Sequence, residues 1–279
     1  DLIPTLTYIF IIAYVSSSIM NSSTDIHTIP LLRVINISKS YGSRIAVCEA
    51  SFELWPGEVM AIVGESGSGK TTLLNAIAGR NQPNSGSVEF LTQNKRLQNI
   101  YEMTQAHQRL LSRTDWGFVH QNSADGLRMD VSAGANVGER LMGLGERHYG
   151  KLRRTAQEWL ERVEIDPTRI DDTPRTFSGG MRQRLQIARN LVTKPRLVFM
   201  DEPTSGLDVS VQAKLLDLLR QLTQQLQLAV VIVTHDLAVA RLLAHRMMVM
   251  QKGQVVESGL TDQVLDDPQH PYTQLLVSS

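Results

Sequence analysis

Residues 59–71 read Val59-Met60-Ala61-Ile62-Val63-Gly64-Glu65-Ser66-Gly67-Ser68-Gly69-Lys70-Thr71, an apolar run that breaks into a glycine-rich turn ending on Lys-Thr. A short, uninterrupted apolar stretch that stops at a glycine is the pattern of a strand buried on both faces. Leu73, Leu74, Ile77 and Ala78 follow at helical spacing, so a helix is expected from about Gly69 with those four on its buried side. The turn itself is G-x-x-x-x-G-K-T. Glycines at 64, 67 and 69 let the backbone bend tightly enough to aim successive N–H groups at one anion, and the helix start adds its dipole. Ser66, Ser68 and Thr72 share that phosphate-facing stretch. Lys70 is placed to reach the β- and γ-phosphates of a nucleotide, and the Thr71 hydroxyl to ligate Mg²⁺. By average residue usage the bare pattern arises by accident in about one chain of this length in a hundred. The strand before it and the helix after it make accident rarer still.

Such a loop needs an acidic partner for its metal, at the end of a neighbouring strand. Arg196-Leu-Val-Phe-Met-Asp201-Glu202 supplies one. Asp201 is expected to hold Mg²⁺ and Glu202 to polarise an attacking water. An apolar run ending in Asp-Glu is by itself usually a strand reaching solvent; beside a phosphate loop, the catalytic reading takes over.

Working outward, residues 31–63 read as β structure, with loose alternation over 31–38 and a Pro56-Gly57 turn before the central strand. Between residues 121 and 177 the β signal fades. Leu152, Ala156, Trp159, Leu160 and Val163 fall at helical spacing, which predicts a mostly helical insertion, about 122–185, in an α/β core. Met181, Leu185, Ala188 and Val192 mark a second helix. Strand–helix alternation then returns, with strands over 197–200 and 229–233 and a helix over 211–225. Residues 246–250 and 254–257 flank Lys252-Gly253 as a hairpin. With no internal repeat, one domain over 31–279 is the expected organisation.

Acidic and basic residues balance at 28 each, so no long-range field favours nucleic acid or an anionic membrane, and no nucleic-acid partner is expected. Cys48 is the sole cysteine. It permits neither an internal disulfide nor an iron–sulfur cluster, fits a reducing cytoplasm, and is expected as a small buried apolar residue. The apolar part of the first 20 residues, over 6–15, is about half a membrane span, lacks a preceding Lys or Arg, and precedes Ser-Ser-Ser rather than a cleavage motif. Residues 1–19 are therefore expected to be translated upstream sequence, Met20 the working start, residues 1–30 a disordered extension, and membrane insertion absent. A membrane anchor is the alternative.

Phe177-Ser178-Gly179-Gly180-Met181-Arg182-Gln183 resembles the Leu-Ser-Gly-Gly signature of ATP-binding-cassette ATPases. Ser178 at a helix start is equally a good N-cap, and the two readings are compatible. Four further positions resemble the family's motifs in the family's order: Tyr41, the aromatic that stacks on adenine; Gln121, the glutamine that senses γ-phosphate and Mg²⁺; Ser205-Gly206-Leu207-Asp208, the loop at the dimer seam; and His235, the switch histidine. The resemblance implies a P-loop α/β fold, with a RecA-like core, an antiparallel β subdomain and a helical insertion. It implies ATP and Mg²⁺ as ligands, with catalysis by Glu202, His235 and Gln121, and Mg²⁺ held by Thr71, Gln121 and Asp201. Ser178, Gly179, Gly180 and Asp208 would serve a nucleotide held by a second cassette subunit, identical or paralogous.

Within the family, one phosphate loop argues against tandem translation factors and exporters, and the short, cysteine-free insertion against repair proteins. Asp267-Pro-Gln-His270-Pro271-Tyr272-Thr273 resembles the tail of the oligopeptide-importer group. Thr114-Asp-Trp-Gly-Phe-Val-His120-Gln121, Asp125-Gly-Leu-Arg128 and Gly138-Glu-Arg-Leu-Met142 resemble the subunit-K ATPases of bacterial phosphonate carbon–phosphorus lyase systems. That resemblance implies a cytoplasmic ATPase subunit docked on a soluble lyase core complex, which itself carries the bond-breaking chemistry. The alternative is the energising subunit of a peptide or phosphonate importer. Importer ATPases usually carry an aromatic where this chain has His120, and a Pro- and Asn-rich segment that grips a membrane partner where it has Asn122-Ser-Ala-Asp-Gly-Leu-Arg128.

Overall fold

The computed structural model describes residues 29–278. The expectations for residues 1–28, including a start at Met20, lie outside the described residues. The hairpin of β1 (Leu32–Tyr41) and β2 (Arg44–Leu54) leads through the Pro56-Gly57 turn into β3 (Val59–Val63) and then α1 (Lys70–Ile77). Next come β4 (Ser85–Leu91), β5 (Leu97–Asn99), α2 (Gln105–Thr114) and β6 (Trp116–Val119). Three helices follow, α3 (Ser123–Gly126), α4 (Ala133–Gly143) and α5 (Tyr149–Arg162), and then α6 (Gly179–Leu191). The chain continues through β7 (Leu197–Asp201), α7 (Val209–Leu226), β8 (Ala229–Thr234), α8 (Leu237–Leu243), the hairpin β9 (Arg246–Gln251) and β10 (Gln254–Leu260), α9 (Thr261–Asp266) and α10 (Pro271–Ser278).

Two sheets result. Strands β2-β1-β4-β5 form an antiparallel sheet, and β10-β9-β3-β8-β7-β6 form a second sheet in which only the β9–β10 pair is antiparallel. The period-2 side-chain geometry of a strand explains why β3 is apolar throughout. Val59, Ala61 and Val63 pack into one core with α6, α7 and the helical segment, whereas Met60 and Ile62 pack into another with α1 and the antiparallel sheet. β7 divides the same way, Val198 and Met200 to the first core and Leu197 and Phe199 to the second. Trp116 joins the two sheets, its ring edge-on to Phe90 at 5.3 Å and to Phe199 at 5.4 Å. The Lys252-Gly253 turn has both residues at positive φ, 47° and 83°, as a two-residue hairpin of that twist requires.

The predicted buried faces hold with three exceptions: Leu152 on α5, Met181 on α6 and Ala78 after α1 are only half-buried. The expectation for Cys48 is also corrected. It is half-buried, because on β2 its buried neighbour Val47 takes the core face and Cys48 the other. The sequence reading left β4, β5, α2, β6 and the helices after β8 unplaced. Among the described residues, no helix is long and apolar enough to cross a membrane.

Candidate active site

The loop after β3 is shaped by what crosses it. At Gly64 φ is +146°, and a Cβ there would lie 2.2 Å from the Met250 carbonyl oxygen of β9, so no side chain fits. Ser68 N–H closes back on Glu65 O at 3.2 Å, and Gly253 N–H of the β9–β10 turn holds Ser68 O at 2.8 Å. Lys70 begins α1 and is buried. Its Nζ donates to Gly64 O at 2.7 Å and to Glu65 O at 2.8 Å. Burial pushes the Lys70 pKa down, and the nearby Glu202 and Asp201 carboxylates oppose that shift.

Asp201 ends β7 one strand away from β8, and the Thr71 hydroxyl donates to its Oδ1 at 3.0 Å. Burial raises the Asp201 pKa and Glu202 adds to it, against the Thr71 hydrogen bond, Lys70 and Arg80. Glu202 follows at φ +40°, its N–H bonded to Val233 O at 2.9 Å. A non-glycine residue there stores about 1–3 kcal/mol of strain, the kind of distortion that concentrates where a side chain must be aimed. His235 Nδ1 lies 3.0 Å from Glu202 Oε2, within hydrogen-bonding distance. The Gln121 amide reaches Ser205 Oγ at 3.2 Å and, more weakly, Glu202 Oε2 at 3.5 Å.

These groups surround a cleft of about 820 Å³ lined by Tyr41, Gly64, Glu65, Ser66, Gly67, Gly69, Lys70, Thr71, Thr72, Gln121, Glu202, Ser205 and His235. Tyr41 is exposed at its mouth, its hydroxyl accepting a hydrogen bond from the Asn81 amide. Ser68 and Asp201 are buried and do not belong to the lining. Thr71, Asp201 and Gln121 offer a hydroxyl, a carboxylate and an amide oxygen, hard donors of the type that suits Mg²⁺.

Ser178, Gly179, Gly180 and Asp208 do not line this cleft. Ser178 caps α6, its Oγ accepting Met181 N–H at 3.3 Å. Gly179 borders a separate hollow of about 330 Å³ with Gln121, Ser205 and Leu207. Asp208 precedes α7 without a side-chain capping bond. The sequence reading missed several residues that belong to the cleft or its support, Ala46 among them. Arg44 and Leu276 line it, and Tyr272 OH accepts Glu65 N–H at 3.0 Å. A basic residue just across the turn from Tyr41 was an available signal for Arg44; nothing local marked Leu276 or Tyr272.

The family model described as ABC transporter matches residues 47–205, which hold the phosphate loop, the signature and the acidic strand end in the order seen here. This chain is an ATP-binding-cassette ATPase. It is 66% identical over 250 residues to PhnK of Escherichia coli K12, named for ATP binding in phosphonates utilization, across 90% of this chain and 97% of that one. A Brucella abortus ATP-binding protein named for peptide import is 36% identical over 269 residues, 91% of this chain and 78% of that one. Among solved structures, the dimeric cassette MJ0796 bound to ADP and Pi superposes with a TM-score of 0.73 at 30% identity, covering 82% of this chain and 98% of that one. CbiO1 of Clostridium perfringens, part of the cbiONQ transporter complex, gives 0.74 at 27% identity, with 85% and 91% covered.

Proposed function

We propose that this ATPase binds Mg-ATP over its phosphate loop and hydrolyses it when a second cassette subunit closes over the cleft. The observation that carries the reading is a division of labour. Phosphate loop, Glu202 and His235 line one cleft, with Asp201 buried behind Thr71, while the capped start of α6 stands outside it. In the closed pair, Tyr41 stacks on adenine, and the loop N–H groups with Lys70 hold the phosphates. Ser178, Gly179 and Gly180 of each chain present bare N–H groups to the nucleotide of the other, with Asp208 at the seam. Thr71, Asp201 and Gln121 would hold Mg²⁺, which would supply neutralisation of the phosphate charge. Glu202 takes a proton from the attacking water, and His235 orients Glu202 through the Nδ1 contact. The fold is read as one domain over 31–279, with its helical part at about 122–185.

The ATP cycle serves phosphonate catabolism, by docking on a carbon–phosphorus lyase core complex in the cytoplasm. Identity to PhnK across 97% of that protein supports this assignment. Importer duty is the second reading, favoured by the relatives named for peptide import. Affinity purification of the tagged chain from cells grown on a phosphonate separates the two. Lyase core subunits are expected to co-purify, whereas integral membrane permeases as the sole stable partners would overturn the first reading.

A further inference from the structure

The tail that begins Asp267-Pro268-Gln269-His270 has no part in the chemistry above, yet its next residues reach the phosphate loop. Tyr272, in the first turn of α10, is only 6% exposed, and its hydroxyl accepts the Glu65 N–H at 3.0 Å from 207 positions away in the chain. The amide concerned belongs to the Gly64–Glu65 peptide unit. The carbonyl of that same unit, Gly64 O, accepts Lys70 Nζ at 2.7 Å. One peptide plane is therefore clamped at both edges, by the catalytic-loop lysine on one side and by the C-terminal helix on the other. In a loop read as presenting N–H groups to an anion, this N–H is committed to a phenol. The start of α10 is itself anchored, because Glu257 of β10 accepts Gln269 N–H at 2.9 Å and His270 N–H at 3.0 Å, and His270 Nδ1 accepts Tyr272 N–H at 3.1 Å. One turn beyond Tyr272, Leu276 lines the cleft.

We propose that Tyr272 is a positioning residue of the nucleotide site, through which the C-terminal helix sets the orientation of the Gly64–Glu65 peptide and hence the affinity for ATP. This rests on the reading of the cleft as the ATP site. A tyrosine suits the task because its ring fills apolar space while its hydroxyl meets a backbone amide. Without the hydroxyl, the amide is left unpaired and the plane is free to rotate, so the loop must be reordered each time phosphate binds. The clamp is made before nucleotide arrives and persists through turnover. Its loss weakens ground state and transition state alike, which raises KM and spares kcat.

The test is steady-state Mg-ATP hydrolysis by the full-length wild type and Tyr272→Phe, with thermal unfolding of both in the absence of nucleotide. The phenylalanine variant is expected to show a KM for ATP about tenfold higher, the size of one lost hydrogen bond, with kcat within about twofold. A KM within about twofold of wild type overturns the inference and leaves the ATPase reading intact, whereas a wild type without Mg-ATP binding defeats that reading itself. Should Tyr272→Phe unfold well below the wild type, Glu257→Gln provides the same measurement from outside the loop. Its loosened α10 anchor is expected to raise KM about threefold with kcat unchanged, and an unchanged KM there overturns the inference.

Discussion

Glu202 and His235, 33 positions apart, meet with Oε2 and Nδ1 3.0 Å from each other at the end of two neighbouring strands. The register makes the meeting unavoidable. Asp201 of β7 lies opposite Val233 of β8, so the residues leaving the two strands emerge side by side over the phosphate loop. The positive φ of Glu202 turns its carboxylate toward the cleft that His235 also lines.

Glu202→Gln removes the proton acceptor while keeping shape and hydrogen-bonding capacity. ATP binding is expected to persist, and hydrolysis to fall by about 10²–10⁴-fold, the usual contribution of a positioned general base. With product formation blocked, the closed dimer accumulates. Size-exclusion chromatography with Mg-ATP reads the dimer and phosphate release reads the rate; turnover near that of wild type refutes the role given to Glu202.

Lys70→Ala deletes the cation that bridges Gly64 O and Glu65 O, the one proposed to hold phosphate. Charge-assisted bonds of this kind contribute about 1.5–3 kcal/mol each, so affinity for Mg-ATP should fall about a hundredfold. Titration calorimetry measures it directly. Affinity within a few-fold of wild type would remove the basis for the phosphate-loop assignment.

Ser178→Arg places a long cation at the cap of α6, outside the cleft that holds the chain's own nucleotide. Each chain should still bind ATP, with hydrolysis lost because the signature acts across the seam. Mixing this variant with Glu202→Gln is informative in a homodimer. A mixed pair joins one intact base to one intact signature in the same composite site, so partial recovery of turnover is the expected result, and no recovery argues against an identical partner.

Glu146 tests electrostatics away from the site. Its carboxylate takes the Lys151 ammonium and the N–H groups of Arg147 and His148 just before α5, and these hold its pKa down to about 2. Because the folded pKa is depressed, its contribution is present above the unfolded value of about 4.3 and is lost as pH falls toward 2. Glu146→Gln should therefore lower the thermal midpoint slightly at pH 7, and the difference should close in acid. The solvent exposure of its partner Lys151 keeps the effect small. An equal difference at both extremes of pH contradicts it.

Much of the site was legible because its parts are local. A buried strand, a glycine turn and a lysine at a helix start impose one backbone shape whatever surrounds them, and Ser178 caps α6 through a bond to a residue three positions away. The helical faces of α5 and α6 were legible for the same reason, since periodicity encodes which side is buried. Misjudged residues were those at the margin of a local pattern. Cys48 faces away from the core because strand alternation assigns that side to Val47, and Leu152 sits at the edge of its helical stripe.

Sequence alone determined the family, the phosphate loop and the acidic strand end, since each is written in consecutive residues whose dihedral preferences and polarity act over a few ångströms. Tertiary structure alone decided that β7 and β8 lie in the register that pairs Glu202 with His235, that Met250 crosses the loop closely enough to require Gly64, and that Tyr272 takes Glu65 N–H. Such contacts depend on how whole sheets and helices pack, and packing is a property of the assembled core that no short stretch of residues carries.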